Sequence, residues 1–319
     1  MATAFDVANA VTTTSADDFV PEIWSMETLA AYKKNLVVAG LVTILNHVGR
    51  KGDTIHIPVP LRADAVQHSV ATTIVPIVFS STTTDVLLDQ HWAYTRLIED
   101  LVELQGLASL RQFFTNDAGY SLAKRIDTSL HTLAATWSGG ANYNAAYIGG
   151  DGSTLYATAG AGNGTALTDA GLRRAIQRLD DQDVPGRDRY LVLPPVEKRR
   201  LLGESRFTEQ AFVGEAGASN SIRNGLVGDL YGVEIYVSSN TAEIAAADTT
   251  TKYRAALLFQ REALVLAEQQ KPRVQQQYKL EALGTLMAAD VVYGVKTVRG
   301  SGGTTDIGAG CTALIVPSL

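Results

Sequence analysis

Apolar positions along this chain alternate between the two-residue period of a strand and the longer period of a helix. From Gly52, the residues Ile55, Ile57 and Val59 alternate with Thr54, His56 and Pro58 until Pro60 stops pairing. A second extended run, Val86 to Tyr94, is placed to pair back onto the first. The stretch between them is rich in Ala, Thr, Ser and Val, so the pair predicts a long β-hairpin projecting from the body, and such a ribbon needs a partner to cover it. Leu97, Leu101 and Leu104, then Leu122, Ile126, Leu130 and Leu133, recur at helical spacing and predict helix over 97–137. Thr115 to Gly119 should break or kink that helix, with Asn116 or Asp117 capping its second half.

Further along, Thr168 opens a helix with Leu172, Ile176 and Leu179 on one face, and Asp180, Asp181 and Asp183 mark its end. Tyr190 to Leu193 is a short apolar run closed by Pro194 and Pro195, which predicts a buried strand, and Lys198 to Leu202 a short helix. Gly228 and Gly232 bracket the turn Asp229-Leu230-Tyr231, after which Val233, Ile235 and Val237 alternate with Glu234 and Tyr236. Strands are expected at Ala255 to Phe259, Val265 to Ala267, Val274 to Tyr278 and Leu286 to Val298. Helices and strands mix without regular βαβ alternation, which predicts an α+β fold. The glycine-rich tract from Ser138 to Gly164 reads as an insertion or exposed loop. At the other end, the hydroxylic first twenty residues read as a mobile arm. Phe19 and Trp24 are positioned to dock that arm where a helix capped by Ser25 begins, with Leu29, Tyr32, Leu36 and Val37 roughly on one side.

Composition adds limits. The 319 residues are enough for one large or two ordinary domains, and 46% hydrophobic with 19% charged residues is the balance of an ordered globular chain. A net charge of -6 argues against tight nucleic-acid binding, which rests on neutralising phosphates with Lys and Arg. With Cys311 alone, no intrachain disulfide and no thiolate metal cluster can form, which suits a reducing compartment. No secretory leader is expected in the N-terminal sequence, and the apolar run Leu36 to Leu45 is too short to cross a bilayer.

Candidate chemistry is sparse. The loop Gly160-Ala161-Gly162-Asn163-Gly164 lacks the preceding strand that a phosphate cradle needs, and a flexible loop is the better reading. Asp180, Asp181 and Asp183 lack the spaced ligands of a calcium loop and read as a helix end. His47, His56, His68, His91 and His131 include no pair at zinc-helix spacing, and no G-x-S-x-G elbow is present. Cys311 has no basic neighbour in sequence and reads as a small buried hydrophobe. Lys271, Arg273 and Lys279 mark a solvated sheet face or ion pairs across a subunit boundary. Neither a cofactor nor a catalytic set emerges, so the chain is expected not to be an enzyme.

Several segments, taken in order, resemble a known family. DDFVPEIWS (Asp17 to Ser25), GDTIHIPVP (Gly52 to Pro60), RLIEDLVELQ (Arg96 to Gln105), DAGYSLAKRID (Asp117 to Asp127), LDDQDVPGRDRYLVLPP (Leu179 to Pro195) and LVGDLYGVEIYVSSN (Leu226 to Asn240) are similar to successive parts of tailed-bacteriophage major capsid proteins with the Hong Kong 97-type fold. ALLFQREALVLAEQQ and GVKTVRG extend the resemblance to Arg299. It implies an N-terminal arm and first helix over 1–50, an extended β-hairpin loop over 51–95, and a peripheral domain with a long spine helix and a glycine-rich insertion over 96–167. An axial domain over 168–262, the peripheral return strands over 263–300 and a C-terminal tail over 301–319 complete it.

The function this implies is self-assembly, as pentamers and hexamers, into an icosahedral head enclosing double-stranded DNA, inside the virion after assembly in the host cytoplasm. Arg62, Asp64 and His68 of the extended loop then become interface residues, Phe19 and Trp24 arm-docking residues, and Gly228, Asp229 and Gly232 an axial-domain turn. A separate scaffolding protein, a portal and decoration proteins are the partners implied, with only weak contact to DNA and none to membrane. No lysine lies between Thr54 and Gln90, so the covalent links that some members form from this loop are not expected. An encapsulin-like shell around an enzyme cargo is the alternative of the same fold.

Overall fold

The computed structural model describes residues 36–49, 51–60, 81–100, 110–137, 146–203, 228–298 and 310–318, with the single positions 65, 67, 68 and 76. Two sheets and one long helix make the body. The larger, seven-stranded sheet runs β5 (Ala146–Ile148), β13 (Cys311–Pro317), β10 (Lys252–Gln260), β6 (Arg189–Leu193), β8 (Val233–Val237) and β7 (Asp229–Leu230), with β9 (Glu243–Ala245) paired to the end of β10. Its β13–β5 and β6–β8 pairs are parallel, and its other pairs are antiparallel.

The central strands of this sheet are continuous apolar runs because both of their faces are covered. Ala255, Leu257 and Phe259 of β10, Tyr190 and Val192 of β6, and Ala313 and Ile315 of β13 enter one core. Their alternates Ala256, Leu258, Leu191, Leu193, Leu314 and Val316 enter another. The second core is closed by α2 (Asp169–Asp180), through Leu172, Ala175, Ile176 and Leu179, and by Leu201 of α3 (Pro195–Leu201). Thr168 caps α2 by accepting the Gly171 N–H. Each such leucine, isoleucine, valine or phenylalanine taken out of water stabilises the fold by roughly 1.5–3 kcal/mol.

The first core reaches the second sheet through the long helix α1 (Leu110–Thr132), continued by the 3₁₀ turn Leu133–Trp137. Ala118, Leu122, Ile126 and Leu130 of α1 share that core with Met287, Ala289, Val291 and Tyr293 of β12 (Gly284–Thr297). In this four-stranded sheet the order is β1 (Thr43–Asn46), β11 (Leu264–Lys279), β12 and β4 (Gln90–Glu99). β1 runs parallel to β11 and pairs only with Val265 to Glu268, so the distal half of β11 has β12 as its one strand partner among the described residues. β2 (Thr54–Pro60) and β3 (Ser81–Leu87) form a separate two-stranded ribbon.

Several expectations need correction. The helical reading from Leu97 fails because Arg96 to Glu99 continue β4 against Gly284 to Met287; Leu97 is a strand residue, and Leu101 and Leu104 lie outside the described residues. The expected break at Thr115 to Gly119 is absent, since α1 runs through it. There Asp117 accepts the Tyr94 hydroxyl at 3.0 Å and Ala118 is fully buried, so tertiary contacts outweigh weak local propensity. The extended run Val86 to Tyr94 is divided: β3 returns onto β2, whereas β4 joins β12.

The glycine-rich tract is not simply an exposed insertion. It supplies β5, and the loop carrying Gly162 and Gly164 wraps the Tyr253 ring, whose hydroxyl donates to Ala161 O at 2.7 Å. Nor is the end of the chain a tail: Cys311 to Pro317 form a central strand, fully buried from Ala313 to Val316. The arm, Phe19, Trp24 and the helix expected after Ser25 lie outside the described residues.

Candidate functional site

Among the described residues the extended ribbon is moored at its base. Thr54 to Pro60 face Leu87 to Ser81 in unbroken register, and across it His56 Nδ1 meets Asp85 Oδ1 at 2.5 Å. That hydrogen bond holds the Asp85 carboxyl below its ordinary range. Beneath the ribbon a small third core joins Val86, Leu88, Ile55 and Ile57 to Leu45 and Ala267 of the four-stranded sheet. Lys296 Nζ donates to Asp85 O at 2.6 Å, and the Leu88 N–H to Asp53 O at 2.8 Å. At Gly294 the fit is closest: a Cβ there would stand 2.0 Å from Leu87 O. Leu87 itself is 56% exposed. Farther out His68 is exposed, while Arg62 and Asp64 lie outside the described residues.

The turn between β7 and β8 is a two-residue hairpin loop, Tyr231-Gly232, with φ of 54° and 77°. Positive φ at both loop positions is the mark of a type I′ turn, whose twist suits a hairpin. Gly228, also at positive φ, accepts the Ile235 N–H at 3.2 Å. Nothing stands within 4 Å of a Cβ built at either glycine, so their positive φ, and not a lack of space, is what favours glycine there. Asp229 is exposed at the edge of the sheet. The Tyr231 hydroxyl donates to Asp169 Oδ1 at 2.5 Å, and Asp169 pairs with Arg173 at 3.0 Å, which ties the turn to the first turn of α2.

Two polar nodes were not foreseen. Asp127, fully buried on α1, accepts the Val38 N–H at 2.9 Å on Oδ1 and the Asn240 Nδ2–H at 2.9 Å on Oδ2. His131 Nε2 lies 3.5 Å from the same carboxylate, and the Thr128 hydroxyl donates to Asn240 Oδ1 at 3.1 Å. The node joins the segment before β1, the long helix and the loop after β8. Asp290 on β12 is the second node: it accepts Arg273 at 2.8 and 3.1 Å and Gln270 Nε2–H at 2.6 Å, with His91 Nε2 at 3.4 Å. The Arg273 guanidinium, foremost, holds Asp290 down at about 2. Both β11 partners flank register shifts in the β11–β12 ladder, so the node pins a bulge. Asp127, Asn240 and Gln270 lie within segments that carry the family resemblance, yet nothing in their spacing sets them apart from ordinary surface polar residues.

Two further buried groups, Glu197 and Cys311, have structural surroundings. Glu197, fully buried, accepts the Leu167 N–H at 2.9 Å and pairs with Arg200, while burial pushes its carboxyl up. Burial likewise pushes up the Cys311 thiol, which matches a small core residue. Among the described residues no group of three or more His, Cys, Asp or Glu is placed to hold a metal ion, and no helix is long and apolar enough to cross a membrane.

A model of the family described as phage capsid protein matches residues 106–305, well over half of the chain. The chain belongs to the phage capsid protein family. No curated protein sequence matches it. Among solved structures, a chain of Mycobacterium phage Che8 is 22% identical with a TM-score of 0.69, over 93% of this chain and 97% of that one. The capsid structure of cyanophage P-SCSP1u gives 18% identity and a TM-score of 0.72 over 96% and 95%. The cyanophage Pam1 capsid asymmetric unit gives 14% and 0.71 over 100% of both chains. The α+β architecture is therefore that of tailed-phage major capsid proteins, and this capsid protein is a structural subunit of a phage head.

Proposed function

We propose that this capsid protein assembles with copies of itself, as pentamers and hexamers, into a closed icosahedral shell enclosing double-stranded DNA. The β2–β3 ribbon carries this reading. Among the described residues its strands pair with each other, rest on the body through the small core at their base and the Lys296 hydrogen bond to Asp85 O, and carry exposed apolar surface at Leu87. A lone two-stranded ribbon is marginal in water, and a neighbouring subunit supplies the missing cover.

In the shell, the seven-stranded sheet with α2 and α3 serves as the axial domain, and the four-stranded sheet with α1 as the peripheral domain. Gly228, Asp229 and Gly232 then lie toward the capsomer axis, Arg62, Asp64 and His68 reach a neighbour, and Phe19 and Trp24 seat the arm. Many weak contacts per subunit let errors anneal while the closed particle stays together. A net charge of -6 keeps contact with DNA weak. A scaffolding protein, a portal and decoration proteins are the proposed partners, and assembly takes place in the host cytoplasm. Without lysine from Thr54 to Gln90, the shell forms no covalent links from this loop, and a ladder of oligomers on denaturing gels of mature particles would contradict that.

Size-exclusion chromatography with negative-stain microscopy tests the whole reading. Rings or icosahedral shells are expected; a small discrete oligomer with catalytic turnover overturns it.

A further inference from the structure

α2 and α3 close the same core of the larger sheet, and the side of them turned away from that core is basic. The Leu167 N–H donates to Glu197 Oε2 at 2.9 Å, which sets α3 beside the start of α2. Residues 169–178 and 195–203 carry Arg173, Arg174, Arg178, Lys198, Arg199 and Arg200 against two acids, Asp169 and Glu197, which are both buried. Positive charge is thus in excess on this helical layer although the subunit has a net charge of -6. Asp180 lies at the far end of α2, where Arg189 takes it up at 2.7 Å.

Three of the six basic side chains are occupied locally. Arg173 pairs with Asp169 at 3.0 Å and Arg200 with Glu197, while Arg178 donates to Gly152 O and to the Tyr147 hydroxyl and stacks on that ring at 3.7 Å. Among the described residues Arg174, Lys198 and Arg199 have no carboxylate within ion-pair distance, and Arg174 reaches the Gln177 amide oxygen at 2.7 Å. The helix dipole does not account for Arg174, which lies in the middle of a 12-residue helix, because that effect is confined to the end turns. Arg174 and Arg199 are exposed and Lys198 is half-buried. Cations left unneutralised side by side repel one another, and a polyanion laid over them relieves that repulsion.

The layer fits a nucleic-acid backbone better than a protein. No large apolar side chain is exposed on α2 or α3, so a partner protein finds nothing to bury there beyond charge. Flexible Lys and Arg side chains on two helices meet a row of phosphates without reading base edges. α2 is about 18 Å long, roughly the rise of five base pairs. We propose that Arg174, Lys198 and Arg199 form the surface through which the subunit touches the phosphate backbone of double-stranded DNA. This inference rests on the reading that the shell encloses DNA, and it gives that weak contact a place.

The test uses the full chain before shell closure, with a short fluorescent DNA duplex as the probe and anisotropy as the readout. The wild type should bind with a Kd of about 1–100 µM in 50 mM salt and lose roughly forty-fold in affinity between 50 and 200 mM, as three phosphate contacts require. Arg174→Gln with Lys198→Gln and Arg199→Gln should weaken binding in 50 mM salt by about tenfold or more and flatten the salt dependence. That variant is expected to melt within about 2 °C of the wild type, since surface changes cost little. Lys51→Gln with Lys271→Gln and Lys279→Gln removes the same charge elsewhere and should leave affinity within about twofold. Equal weakening by the two triple variants, or no binding by the wild type, overturns the inference. Binding of poly-glutamate without binding of duplex assigns the layer to an acidic protein and overturns it too. If the first variant does not fold, acetylation of the wild type decides: duplex should shield Lys198 and not Lys271, and an unshielded Lys198 overturns the proposal. Shells are scored separately by negative-stain microscopy. A wild type that binds duplex but forms no rings or shells sinks the assembly reading; shells from a chain that ignores duplex sink only this contact.

Discussion

The two sheets solve opposite problems. β6 is buried along its whole length and β10 along nearly all of it, because α1 and α2 cover the two faces of the larger sheet. β11 starts the same way, with Leu264 to Ala267 buried, and then runs exposed from Lys271 to Tyr278. The central strands of the first sheet are covered on both faces within one chain, while the second leaves the distal half of β11 exposed, as it does Leu87 of the ribbon beside it.

Two glycines test that difference with the same steric insult. A Cβ at Gly171 would stand 2.0 Å from Gly149 O, and one at Gly294 2.0 Å from Leu87 O. Gly171 lies where the first turn of α2 meets the loop after β5, inside the covered region. Gly171→Ala should cost about 4 kcal/mol or more and leave little soluble, cooperatively melting protein, as circular dichroism and calorimetry would record. Gly294→Ala should cost up to about 3 kcal/mol and displace only the ribbon. The subunit should still melt cooperatively, with faster proteolysis between Pro60 and Ser81 and few closed shells. Equal damage from both changes would erase that difference.

The boundary between the regions is the next target. Asp127→Ala leaves the buried Val38 N–H and Asn240 amide without their acceptor, at a cost of about 2 kcal/mol. Thermal melting of Asp127→Ala and Asn240→Ala, alone and together, should show strong non-additivity, because the groups share one network. Additive losses would mean that the node does not couple the long helix, the segment before β1 and the loop after β8.

The sequence made the covered region far more legible than the exposed one. Leu172, Ile176 and Leu179 mark α2 because one face is buried, and Tyr190 to Leu193 marks β6 because both are. β4 misleads because Leu97, Leu101 and Leu104 fit a helical period, while what fixes Leu97 as strand is pairing with Leu286, nearly two hundred residues away in sequence. Gly149 and Gly152 look like loop punctuation and Gly171 like a weak helix residue, yet all three are close approaches of backbone to backbone, visible only when packed. The resemblance identified the family, but the Asp127 and Asp290 nodes depend on side-chain meetings that no local pattern records.

A smaller effect is expected at the β7–β8 turn. With no neighbour within 4 Å, Gly232→Val changes only the backbone preference, at about 1–2 kcal/mol, whereas Gly232→Asn should cost a few tenths. Melting temperatures should separate the two, and the valine variant should also impair soluble folding or ring formation. Normal particles from Gly232→Val would show that the turn tolerates another shape.

The smallest effect belongs to the open sheet. Asp290 is held at about 2, below its ordinary 3.8, chiefly by Arg273. A lowered carboxyl contributes stability that is fully present above about pH 4 and is lost as pH falls toward 2. Because Arg273 is 52% exposed, solvent screening reduces that contribution to about 1 kcal/mol. Arg273→Ala should therefore melt a few degrees below the wild type at neutral pH, and the gap should close near pH 2. High salt should narrow the neutral-pH gap as well, since the pair is only partly shielded. A gap that persists unchanged at low pH would mean that Arg273 supports the bulge through its aliphatic stem and not through Asp290. The distal hairpin would then be held by packing, as the larger sheet is, and the contrast between the two sheets would lie in exposure alone.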